Sequence, residues 1–229
     1  MSNNLNEFVL DNADRVGEKF ADNSVDTEDI NVYFRNIKAA LIAQIDRAEV
    51  VVGCVAWLTD KDILTALNKK KLVSIVVQKE DFLRPDLEAS GSQWKVELRK
   101  MYDSMPKHAV RYQFNNILGS ISTQGDPSLD PIRCVGNHSD AKAPSSPRMH
   151  NKFAVFASLD KDERVVPYAV WTGSFNFSKN AGMSLENAVL IKEMTIVNAY
   201  YQEFGQICAM SEPLDWTSDW IAPEWRIGS

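Results

Sequence analysis

Two short stretches of this 229-residue chain carry side chains suited to chemistry at phosphorus. In Met149-His150-Asn151-Lys152-Phe153 an imidazole and an ammonium stand two residues apart at the entry of an apolar run. In Thr172-Gly173-Ser174-Phe175-Asn176-Phe177-Ser178 a hydroxyl and a carboxamide repeat that spacing just after another apolar run. A neutral imidazole attacks phosphorus and holds it as a phosphohistidine. A period of two along a strand keeps His150 and Lys152 on one face, so the ammonium meets the non-bridging oxygens as a point charge. Ser174 and Asn176 add neutral donors, and backbone N–H groups around Gly173 add fixed ones. Arg148 offers a further phosphate contact; Phe153, Phe156, Phe175 and Phe177 read as core or rim packing, with Phe175 the ring offered for a base to stack on. The chemistry these residues would perform together is the breaking of a phosphodiester bond.

The runs around them predict the elements that must hold them. Val32–Phe34 reads as a short strand, and Ile37, Leu41 and Ile45 follow at helical spacing. Glu49–Trp57 and Leu72–Val77 read as strands buried on both faces. Between them Thr59-x-x-Asp62 caps a helix with Ile63, Leu64 and Leu67 inward. A helix from Ser92, a strand Val110–Phe114 and a strand Ile132–Val135 come next. Strands Lys152–Ala157, Val165–Thr172 and Glu186–Ile191 follow, then a helix Thr195–Cys208 with Ile196, Tyr200, Phe204 and Ile207 inward. The alternation predicts an α/β fold with a mixed, largely parallel β-sheet flanked by helices. Residues 1–30 read as an acidic N-terminal leader, residues 31–229 as the catalytic domain, and 115–148 within it as a long irregular loop region, Pro- and Gly-punctured and more typical of function than of filler.

Charge and cysteine content bound the setting. Residues 1–30 hold eight acids against two bases, which accounts for the whole net charge of −6 and leaves the remainder balanced. That excludes a broad basic groove and leaves room for a local phosphate site. The longest apolar run, Val50–Leu58, is too short to span a bilayer, so stable membrane association is not expected. The N-terminus lacks a signal-peptide pattern, and Cys54, Cys134 and Cys208 read as free buried thiols, which together predict a cytoplasmic protein. The Cys, His and Asp residues do not cluster at ligand spacing, so no metal and no cofactor is expected.

His150, Lys152, Gly173, Ser174 and Asn176, with Glu186 downstream, resemble the phospholipase D superfamily, whose hallmark is His-x-Lys-x4-Asp followed by Gly-Ser-x-Asn. The resemblance runs from about Val32 to Trp216 and is densest around the two stretches. It is greatest to the short bacterial endonucleases that carry one motif per chain. It implies a phospholipase D-like fold, a metal-independent phosphodiesterase or endonuclease, and DNA as the foremost substrate. It also implies that Glu186 hydrogen-bonds the imidazole. A second imidazole must protonate the leaving oxygen. His108 and His138 read as exposed or structural, so the resemblance implies a homodimer whose shared active site takes His150 from each copy. The family's motif Asp falls on Ala157. Two alternatives therefore accompany the nuclease reading: a phospholipase or phosphatidyltransferase, and a catalytically weak nucleic-acid-binding or regulatory protein.

Overall fold

The apolar runs become the centre of a sheet. In a computed structural model, which describes residues 4–9, 17–84, 93–106, 130–138 and 147–223, the strands are β1 (Val25–Asp26), β2 (Ile30–Tyr33), β3 (Val50–Val55), β4 (Leu72–Gln78), β5 (Ile132–Val135), β6 (Lys152–Leu159), β7 (Val165–Gly173) and β8 (Ala188–Ile191). Their spatial order is β1-β2-β8-β7-β6-β3-β4-β5. The helices are α1 (Ile37–Arg47), α2 (Lys61–Leu67), α3 (Gln93–Asp103) and α4 (Met194–Ala209). All six residues of β3 and all seven of β4 are buried, as strands covered on both faces must be. Gly53 interrupts the β3 run because a Cβ there would stand 2.3 Å from the Phe153 carbonyl oxygen on β6. The predicted strand Val110–Phe114 lies outside the described residues, as does His108.

The α/β class holds, but the sheet is not largely parallel. Among the described strands only β3–β4 and β4–β5 pair in parallel; the other five pairings are antiparallel. The connections explain it. Chain returning through a hairpin must run antiparallel, while a parallel neighbour needs a crossover. β6 and β7 are joined by the tight turn at Asp160–Arg164, where Asp160 accepts from Asp162 N at 2.8 Å and Arg164 N at 2.9 Å. β3 and β4 are joined through α2 instead.

One core lies between the sheet and α1–α3, with Leu41, Val55, Phe156 and Trp171 at its centre. The other lies under α4, with Val52, Phe153, Val155 and Phe204. Two local expectations shift by one residue. The α2 cap is Asp60, not Thr59; its carboxylate accepts from Asp62 N at 2.9 Å and Ile63 N at 3.2 Å. On α4 the expected Phe204 and Ile207 are buried, but in the first half Val197 and Tyr201 are the buried residues, while Ile196 is exposed and Tyr200 half-buried. The apolar residues there come as neighbours at 196/197 and 200/201, so periodicity fits either row, and contact with β7 and β3 selects one.

The sheet margins are closed by the two ends of the described chain. Val25 pairs with Val32 beside β8, and Asn6 Nδ2 donates to the Ser184 carbonyl at 2.9 Å. At the other margin the Cys134–Glu212 bridge lays the C-terminal segment along β5. The three cysteines are buried and free. Among the described residues no helix is long and apolar enough to cross a membrane.

Candidate active site

Register brings the two motifs to one end of the sheet. Val55 at the end of β3 pairs with Lys152 at the start of β6, Thr172 near the end of β7 pairs with Phe153, and Gly173 pairs with Ala188 at the start of β8. His150, Lys152, Ser174 and Glu186 therefore leave neighbouring strands at the same edge. The Gly-Ser-x-Asn turn is also tied to β3, because Thr59 N and Asp60 N donate to the Phe177 carbonyl at 2.8 and 2.9 Å. Gly173 adopts φ +150°, and a Cβ on it would lie 2.4 Å from the Asn187 carbonyl oxygen. Only glycine lets the strand end this close to its neighbour.

At this edge Lys152 Nζ lies 3.1 Å from His150 Nδ1 and 3.2 Å from Nε2, and it donates to the His150 carbonyl at 2.8 Å. The Trp57 ring meets the imidazole edge-on at 5.9 Å between centroids. Trp57 Nε1 donates to Glu80 Oε1 at 3.2 Å, and Arg148 Nη1 donates to the same oxygen at 3.1 Å. Gln78 Oε1 accepts from Met149 N at 2.7 Å, so the end of β4 fixes the backbone just ahead of His150.

Across the edge Ser174 Oγ donates to Glu186 Oε2. Ser174 N donates to Asn187 Oδ1 at 3.0 Å, and Asn187 N donates back to Ser174 Oγ at 3.0 Å. Glu186 thus bonds Ser174 here rather than the imidazole, while its charge acts on Lys152. Asn176 is buried, and its Oδ1 has no partner among the described residues. Phe175 is a correction: its ring is 1 % exposed and packs beside Phe177 in the core, so it presents no face to a base.

Burial and the cations Lys152 and Arg148 lower the pKa of His150 below the ordinary 6.5. Burial likewise lowers Lys152, with Glu186 opposing. A depressed imidazole pKa leaves the ring neutral and nucleophilic at pH 7. The acid limb of a kcat/KM profile is therefore expected below pH 6.5. Lys152→Gln removes one of the depressing charges, so the His150 titration seen by NMR moves up; no movement in that variant contradicts the coupling.

The remaining sequence candidates sit elsewhere. His138 is buried, with Nε2 3.0 Å from Asp81 Oδ1, Nδ1 3.5 Å from Asp219 Oδ1 and its ring 4.8 Å from Trp216; it is structural. Ala157 is fully buried under α4, at the point where the β6–β7 register shifts. It lies five residues along β6 from Lys152, about 16 Å at ~3.3 Å per residue. An acid there would neither reach His150 nor find water. Ala157→Asp is accordingly expected to destabilise the fold by about 4 kcal/mol at pH 7, the cost of a carboxyl whose pKa burial raises by about 3 units. Because the folded-state pKa is raised, the deficit should shrink as pH falls toward 4, the ordinary Asp value (~3.9). Urea unfolding at both pH values checks it, and a deficit that does not change with pH rules out a buried ionisable acid as the cause.

Sequence reasoning missed Trp57, Glu80 and Asn187. Asn187 had a signal in its position beside Glu186. Trp57 and Glu80 lie just beyond the ends of two buried strands, and only their pairing in space reveals them.

No family model matches the chain. Among solved structures it is similar to NucT from Helicobacter pylori, with 17 % identity, a TM-score of 0.47, and coverage of 77 % of this chain and 95 % of that one. It is similar also to Nuc from Salmonella typhimurium, a phospholipase D family member, with 18 % identity, a TM-score of 0.41, and coverage of 78 % and 91 %. A third is TrmBL2, an archaeal chromatin protein with a novel mode of DNA binding, at 13 % identity, a TM-score of 0.41, and coverage of 82 % and 54 %. In sequence it is 34 % identical over 228 residues to the uncharacterized protein L381 of Acanthamoeba polyphaga mimivirus, across 94 % of this chain and 75 % of that protein. At that identity and coverage, the chain belongs to the same family as the mimivirus protein.

Proposed function

We propose that this chain is a phosphodiesterase that cleaves nucleic acid, DNA foremost, without a metal ion, in an active site shared by two copies. The observation that carries the reading is the contact of Lys152 Nζ with the His150 ring, 3.1 Å from Nδ1, at the strand edge that also holds Ser174 and Glu186. The motif resemblance to the phospholipase D superfamily supports it.

In this reading an imidazole nitrogen of His150 attacks phosphorus, and the P–O bond to the leaving oxygen breaks. The second copy's His150 gives that oxygen its proton. The same imidazole then takes a proton from water, and the resulting hydroxide displaces the first His150 by breaking the P–N bond. Lys152, Ser174, Asn176 and the backbone at Gly173 hold the non-bridging oxygens as charge builds on them. Arg148, now on Glu80, offers a further cation to the same phosphate. For the second ring to serve as the acid, Glu186 of that copy turns from Ser174 to the imidazole and stabilises its cationic form.

The test is incubation in EDTA with plasmid, single-stranded DNA, RNA and phosphatidylcholine vesicles, beside a His150→Ala control. Nucleic-acid cleavage that survives EDTA and is lost in the control supports the reading. Head-group release from vesicles transfers the site to a phospholipase. Glu186 bonds Ser174 and not the imidazole, which favours a second reading, a catalytically weak protein that retains the phosphate pocket. Binding of nucleic acid without cleavage by the wild type would select it.

A further inference from the structure

Next to the reacting groups opens a cleft of about 390 Å³, lined by the rings of Trp57, Phe82 and Trp94 and by Asn176, Asn180 and Glu186. Its size falls within the range of small-molecule sites, roughly 300–1,000 Å³. Trp57 joins the cleft to the imidazole, since it lines the cleft and meets His150 edge-on. Trp94 is 48 % exposed, and its ring lies 5.6 Å from that of Phe82. Phe82 packs against the core, but Trp94, half in water beside it at this reactive edge, is not explained by core packing.

Asn176 supplies an independent sign of what belongs there. It is 9 % exposed, it lines the cleft, and its Oδ1 has no partner among the described residues. A phosphate oxygen only accepts, so it can satisfy the NH2 end of that carboxamide and never the carbonyl end. The orphaned acceptor needs a donor, and a nucleobase edge carries N–H donors beside a flat π-face. A lipid acyl chain has neither, and a cleft lined with amides and a carboxylate is a poor home for one.

We propose that this cleft receives one unpaired nucleobase flanking the scissile phosphate, which makes single-stranded nucleic acid the preferred substrate over duplex. The inference rests on the phosphodiesterase reading above. A paired, stacked base cannot enter without being pulled from its helix, and that unstacking is the source of the discrimination. A base–aromatic stack contributes roughly 5- to 150-fold in binding.

The experiment compares four probes with the full chain in EDTA: a DNA oligonucleotide, the same strand with one abasic position beside its cleavage point, its annealed duplex, and the RNA of the same sequence. We expect KM for duplex and for the abasic strand to exceed that for the intact strand by about tenfold or more. Both ratios should fall toward one in Trp94→Ala and return in Trp94→Phe; Trp94 is half exposed, so neither change threatens the fold. The DNA and RNA arms tell which sugar the cleft tolerates. Equal KM for single strand and duplex, or an abasic penalty unchanged by Trp94→Ala, overturns the base pocket while cleavage itself leaves the phosphodiesterase reading intact. If the wild type cleaves nothing, that reading fails instead. In that case tryptophan fluorescence quenching by the intact strand, weakened in Trp94→Ala, still supports the pocket, and absence of quenching overturns it as well.

Discussion

Mixing wild-type chain with His150→Ala chain, with subunits allowed to exchange, is expected to lower cleavage as the square of the wild-type fraction. The proposed shared site needs two imidazoles, one His150 from each copy; among the described residues the other histidine, His138, is held between Asp81 and Asp219. Random assortment at equal amounts leaves about a quarter of the dimers with both rings. Dimers with one or no His150 lose the nucleophile or its acid–base partner, and the pure variant should fall by on the order of 10⁴-fold or more in kcat. Activity that declines in simple proportion to the wild-type fraction would mean that each copy works alone. The composite site would then be wrong even if His150 proved indispensable.

The largest stability effect is expected at Lys79 and Glu212, far along the chain from each other and joined in the interior. Lys79 is 1 % exposed, and its Nζ donates to Glu212 Oε1 at 2.7 Å and to the carbonyls of Ser218 and Trp220 at 2.8 Å each. Glu212, 5 % exposed, also accepts from Ala222 N at 2.9 Å through Oε1. Lys79→Met strands a carboxylate and two carbonyls, and Glu212→Gln strands an ammonium. Each should cost about 3–5 kcal/mol in urea unfolding, and the double variant less than the sum. The damage should extend to the site, because Lys79 stands between Gln78, which holds Met149 N, and Glu80, which holds Arg148. A Lys79→Met chain within about 1 kcal/mol of wild type would show that the pair is replaceable and that the C-terminal segment is held by other contacts.

Elements that bury both faces were legible in the sequence, because a continuous apolar run leaves little choice. β3, β5 and β6 fall within two residues of where hydrophobicity placed them. The pairing of His150 with Lys152 was legible too, since a short stretch of extended chain fixes it. Strand direction was not. It depends on how each connection returns, and the charged turn at Asp160–Arg164 marked a hairpin whose consequence for the sheet went unread. The inward row of α4 was ambiguous for a different reason, as adjacent apolar residues satisfy two helical faces equally until a sheet selects one. Phe175 took the core side of its two readings, and Trp57 left the strand in which it was placed. The phenylalanine inside the motif turned into the core, whereas the tryptophan beyond a strand end came to rest against the imidazole. Neighbours brought from distant parts of the chain decide such matters, and one-dimensional spacing does not contain them.

The β6–β7 hairpin carries His150 and Lys152 on the way in and Ser174 and Asn176 on the way out, with its tight turn at the opposite end. Proximity of these groups is thus set by a single antiparallel pairing between near neighbours in the chain. Such ribbons zip within microseconds, long before distant segments meet. These four side chains can gather early, while the aromatic flank from β3 and α3 and the β4-end support of residues 148–149 arrive only as the rest of the sheet closes around them.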